Sequence, residues 1–146
     1  MRLTIILILL LLVVSACKKD RLKDEKSILI GKWNWSYSEH KYGWCDGDDF
    51  EETIDPESEG ESFSIEFLEN GKINFFGIDD QLIEKKRIVF SHFTEESSEQ
   101  YIFNIMLNNK DSDNLGGRVS NVLILEQFPF TSTPGCEDYD NYFIKE

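Results

Sequence analysis

The chain has 146 residues, of which 15 are Lys or Arg and 28 are Asp or Glu, giving a net charge of −13. A surface this acidic repels phosphate and offers no basic cluster to release counterions, which argues against DNA or RNA binding. The only alanine is Ala16, so everything after it lacks the best helix former, and all 11 Phe, 5 Tyr and 3 Trp lie there; that argues against an all-helical protein.

Met1-Arg2 is a short positive start, and Leu3 to Val14 is apolar apart from Thr4. Twelve residues fall short of the roughly 20 that a membrane-spanning helix needs, so this is the apolar core of a signal peptide. Val14-Ser15-Ala16-Cys17 then resembles a bacterial lipobox: an aliphatic residue, two small residues, and the cysteine whose thiol takes the lipid. The expected organisation is a lipoprotein signal peptide over 1–16, a lipidated Cys17 with a tether over 17–27, and one domain over 28–146. Without Arg2 the mature chain keeps 14 basic against 28 acidic residues, a net charge of −14. Acyl chains anchor a protein on a membrane rather than through it. Lys18 in place of an aspartate after the cysteine resembles outer-membrane sorting, and Lys18 to Ser27 reads as a solvated, charged tether. Part of that tether also resembles the surface-export signal of Bacteroidota lipoproteins, so the expected location is the cell envelope, lipid-anchored, on the periplasmic face or the cell surface.

From Ile28 onward apolar residues recur at every second position, the pattern of half-buried strands. Trp33, Trp35 and Tyr37 share one face, followed by Phe63, Ile65 and Phe67. Lys72 to Gly77, Arg87 to Phe93, Tyr101 to Leu107, Val119 to Gln127 and Tyr139 to Lys145 give further strands, and Gly116-Gly117 reads as a turn. Around Asn70-Gly71 a two-residue loop would place Phe67 opposite Asn74. A three-residue loop, Glu69-Asn70-Gly71 with Gly71 left-handed, pairs Phe67 with Ile73 and Ile65 with Phe75 and keeps one face apolar. Short strands without crossover helices predict an all-β fold, an antiparallel up-and-down β-barrel of about eight strands, because closure removes exposed edges.

Gly31-Lys32-Trp33 resembles the G-x-W signature of lipocalins. Leu29 to Trp35, Thr53 to Glu57, Ser64 to Lys72, Val122 to Leu125 and Tyr142 to Lys145, in that order, resemble the small lipocalin-like lipoproteins of Bacteroidota across most of 28–146. The resemblance implies a lipocalin-like barrel with no established activity. Lipocalins usually pack an arginine from near the chain end over the tryptophan, and here only Lys145 is placed to do so.

Cys45 and Cys136 remain after Cys17, and an even pair in an exported protein reads as a disulfide, two free thiols being the alternative. With first and last strands adjacent in a closed barrel, the two cysteines fall at the same end. Asp46, Asp48, Asp49, Glu51 and Glu52 lack calcium-loop spacing and read as a solvated acidic loop, so no metal is expected. Ser91 and His92 are chain neighbours whose side chains diverge in a strand, and no nucleophile motif or phosphate loop occurs; no enzyme activity and no cofactor are expected. Trp33, Trp35, Tyr37, Phe63, Ile65, Phe67, Phe75 and Phe103 are the candidate lining of a barrel interior, which eight strands leave either filled or able to hold one small ligand. The leading expectation is a small hydrophobic ligand or a surface binding role. The alternative is a protein-binding inhibitor or immunity factor, its acidity steering it to a basic partner such as a lysozyme, with the loop Glu39 to Pro56 in contact.

Overall fold

The structure, a computed structural model, describes residues 21–42, 50–108, 114–126 and 137–146. Cys17, Cys45, Cys136 and Asp46 to Asp49 lie outside them, as do the side chains of residues 40–42, 50–51 and 137–138. Among the described residues nine strands follow in order: β1 (Gly31–Tyr42), β2 (Phe50–Ile54), β3 (Ser64–Leu68), β4 (Lys72–Phe76), β5 (Leu82–Ser97), β6 (Gln100–Leu107), β7 (Asn114–Val119), β8 (Val122–Glu126) and β9 (Glu137–Lys145). From β3 to β9 each strand pairs with the next in antiparallel fashion, and β9 returns to pair with β1, so the sheet closes. β2 pairs with Ser38 to Tyr42 and β3 with Gly31 to Asn34, both along the same edge of β1. Nine strands therefore fill eight positions of a closed antiparallel barrel, the fold that the alternating pattern predicts.

The β3–β4 hairpin takes the register that keeps its apolar face whole, with Phe67 opposite Ile73 and Ile65 opposite Phe75. Gly71 sits at φ 74° and closes the three-residue loop by donating to the Leu68 carbonyl at 3.0 Å. A side chain here would strain that left-handed backbone. Inside the barrel, Trp33, Phe67, Phe75, Phe103 and Phe143 are buried together with isoleucines and leucines from every strand from β3 to β8. The lower interior is packed.

Four local expectations change. The tether does not stay solvated to Ser27: Leu22 is buried and its amide donates to the Glu69 carbonyl, and Asp24–Leu29 forms a 3-10 helix that buries Leu29. Burying one leucine stabilises by about 1.5–3 kcal/mol, which draws this charged segment onto the barrel end. The run Val119 to Gln127 is two strands, β7 ending at Val119 and β8 starting at Val122, because Ser120-Asn121 turns between them. Gly116-Gly117 is no turn but lies within β7, where Gly117 packs between Phe103 and the Ile124 carbonyl. Finally β5 begins at Leu82, inside a charged run. Lys86 and Glu84 pair with Ile73 and Phe75 across the sheet and form an ion pair at 3.2 Å, with Glu84 exposed and Lys86 partly covered.

A bulge in β1 resets which side chains of that strand face inward. Trp35 pairs with Phe143 but Tyr37 with Tyr142, so Ser36 is an extra residue and the inward side switches after it. Ser38 therefore points in, opposite Asn141, and Tyr37 points out to stack on Tyr142 with ring centroids 4.3 Å apart.

Candidate functional site

The barrel wall opens where its second position is interrupted. After Ile54 the chain leaves the sheet for a single helical turn, Pro56–Glu59. That turn is specified locally: Asp55 accepts from the Ser58 amide at 2.8 Å, the Ser58 hydroxyl accepts from the Asp55 amide at 3.0 Å, and Pro56 occupies the first helical position. The amide bond from Ser58 holds the Asp55 carboxyl below its usual range. The chain rejoins the wall at Phe63, whose carbonyl accepts from the Trp35 amide at 3.0 Å.

Facing this excursion is the β4–β5 connection. A short 3-10 turn, Ile78–Asp80, is closed by the Gly77 amide donating to the Gln81 carbonyl at 2.9 Å. Asp80 accepts from Lys32 Nζ at 2.7 Å, which ties the connection to β1 and raises the lysine above its ordinary value.

Between the two segments lies a cleft of about 480 Å³. Its apolar surface comes from Trp35, Ile54, Phe63, Ile78 and Ile83, and its polar groups from Ser38, Glu59, Glu61, Ser62, Gln81 and Asn141. The volume lies within the range of small-molecule pockets, and an apolar wall with a few convergent polar groups is their usual composition. Trp35 and Phe63 stack at 4.6 Å, and Ile78 and Ile83 are more than half exposed at the rim. Deeper in, the Trp35 Nε1–H donates to Ser38 Oγ at 2.9 Å, the Ser38 hydroxyl to Asn141 Oδ1 at 2.7 Å, and Asn141 Nδ2 to the Leu125 carbonyl at 3.2 Å. This chain of bonds fixes the Trp35 ring and places two polar side chains against the cleft.

The eight aromatic and aliphatic candidates separate into three groups. Trp35 and Phe63 line the cleft. Trp33, Ile65, Phe67, Phe75 and Phe103 are at most 1% exposed and belong to the packed interior. Tyr37 lies on the outer face beside Tyr142. Ser38 and Asn141 carry no signal in the sequence, because only the bulge turns Ser38 inward. Ile78 and Ile83 had a visible signal, two apolar residues close together in a polar stretch, but nothing said they faced a gap.

Elsewhere, Ser91 sits at a second bulge, between Phe90 and His92, and its hydroxyl donates to the Asn104 carbonyl at 3.3 Å. A more open hollow at the opposite end is lined by Asp24, Glu25, Ser27, Ile28, Glu99, Tyr101, Ser120 and Asn121. Among the described residues no group of His, Cys, Asp or Glu could hold a metal ion, and no helix is long and apolar enough to cross a membrane.

Compared with protein families, with curated proteins and with solved structures, the chain finds no match in any of the three.

Proposed function

We propose that this protein is a lipid-anchored, lipocalin-like binding protein of the cell envelope that holds a small hydrophobic ligand in the cleft beside Trp35 and Phe63. The observation that carries the reading is the exposed apolar rim of that cleft, Ile78 and Ile83, above the stacked rings of buried Trp35 and half-buried Phe63, while the interior below is filled. Large apolar side chains exposed together around a concavity mark binding sites more often than chance.

The position of the cleft supports the same reading. Leu22 packs beside the β3–β4 turn, whereas the β4–β5 connection that walls the cleft is at the other end of the up-and-down barrel. Five Cα-to-Cα steps lead from Cys17 to Leu22, a span of at most about 18 Å. A lipid on Cys17 then holds the plugged end near the membrane and turns the cleft toward water.

Titration of the mature chain carrying Cys17→Ser with dodecanol, read by tryptophan fluorescence, is expected to saturate. The paired substitution Ile78→Ser and Ile83→Ser, at positions already exposed, is expected to weaken it at least about tenfold. A linear, non-saturating response, or equal affinity in the variant, overturns the reading. For the anchor, the mass of the protein from its source cell is expected to show a diacylglyceryl group on Cys17.

The packed interior also favours a second reading, a protein-binding inhibitor whose acidic surface meets a basic enzyme. Co-purification of one basic protein, lost in high salt, would support it.

A further inference from the structure

We infer that the cleft selects an amphiphile with a cationic head, an alkylammonium rather than a fatty acid; this rests on the proposed ligand-binding role. Glu59 and Glu61 both line the cleft, and among the described residues its lining contains no lysine, arginine or histidine. The neighbouring Lys32 is occupied, bonded to Asp80 and 3.7 Å from Glu146. A ligand whose tail lies against Ile54, Phe63 and Ile83 meets, as polar lining, the two carboxylates, the hydroxyls of Ser38 and Ser62 and the amides of Gln81 and Asn141.

The two charge types meet opposite fates there. An ammonium gains attraction from Glu59 and Glu61. A carboxylate is repelled by both glutamates and finds no counter-charge among the described lining residues. The mature chain's net charge of −14 adds to this by concentrating cations and depleting anions around the mouth. The hydroxyls and amides of the lining can donate to a carboxylate, but every charge among the described lining residues is negative.

The test compares three probes with the same tail, dodecyltrimethylammonium, dodecanol and dodecanoate, each below its micelle concentration, on the mature chain carrying Cys17→Ser. The ammonium is expected to bind about tenfold tighter than the carboxylate at low salt, the gap narrowing as salt is added. In the double variant Glu59→Gln and Glu61→Gln the gap is expected to collapse, with the melting temperature checking that the variant is folded. Equal affinities in the unaltered chain, or a gap that persists in the folded double variant, overturn the charge selection while leaving ligand binding intact. If none of the three probes saturates, the binding reading itself falls, and this inference with it. Should the variant fail to fold, the three-probe comparison on the unaltered cleft still decides.

Discussion

Lys145 holds its ammonium 5.1 Å from the centre of the Trp33 ring and donates to the Ile28 carbonyl at 3.1 Å. Trp33 in turn donates from Nε1 to the Leu29 carbonyl at 2.8 Å. One cation and one indole thus join the N-terminal 3-10 helix, the start of β1 and the end of β9 at the point where the barrel closes.

Replacing that cation by an isosteric apolar chain, Lys145→Met, is expected to lower unfolding free energy by about 1 kcal/mol in urea denaturation, since the lysine is exposed and the ring contact is worth about 0.5–1 kcal/mol. Lys145→Arg is expected to retain most of it, because guanidinium stacks on indole at least as well.

Gly117 is held by close approach. A Cβ there would run into the Ile124 carbonyl and stand 2.9 Å from the Phe103 ring. Gly117→Ala is therefore expected to cost about 2 kcal/mol by overpacking, measured by thermal or chemical unfolding. At Gly116 the nearest atom is the side-chain oxygen of Asn104, at 2.9 Å, which can swing away. Gly116→Ala is expected to cost less than half as much.

Ser38 is the middle of a buried three-bond chain. Ser38→Ala removes the acceptor of the Trp35 indole and the donor to Asn141 Oδ1 at once. Leaving these buried polar groups unpaired is expected to cost about 1–3 kcal/mol, together with a broadened tryptophan emission as the Trp35 ring loses its anchor.

Burial, followed by the hydrogen bond to Glu39 at 2.9 Å, pushes the Tyr142 phenol up to about 12 from an ordinary 10.0. The folded state therefore holds this proton more tightly than the unfolded chain does. Its contribution to stability is complete below pH 10 and is lost as pH rises toward 12. The melting temperature is expected to fall across that window, and to fall less steeply in Tyr142→Phe, which has no proton to release.

Tyr42 is in register with Phe50 on one side and Glu137 on the other. Cys136 directly precedes Glu137 and Cys45 follows Tyr42 by three residues, so both leave from one end of the same strand pair. The mature protein is expected to weigh two hydrogens less than its reduced form. A bridge closing that 92-residue loop would stabilise by about 4–5 kcal/mol in the chain-entropy account, and a fully reduced mass in freshly purified protein would dispose of it.

Alternation alone carried much of the architecture. Ile65, Phe67, Ile73 and Phe75 could be placed on one face, and even their register chosen, because a one-residue slip would have exposed an entire apolar face to water. The same rule failed at Tyr37, where a single extra residue reverses the sides, and at Val119 to Gln127, where Ser120-Asn121 is a two-residue turn that splits the run. It also missed the start of β5, Leu82 to Lys86, because a charged run gives no period-two signal.

What the sequence by itself determined was the class of fold and part of its core, such as Trp33, Ile65, Phe67, Phe75 and Phe103, since period-two burial is a local property of the chain. The cleft belongs to tertiary structure only. Trp35, Ser38, Phe63, Ile83 and Asn141 come from three strands and one excursion and meet because a bulge turns one strand and an interrupted wall leaves space. Such a gap is created by where the backbone stops pairing, and pairing across 103 residues, as between Ser38 and Asn141, leaves no trace in the local order of side chains.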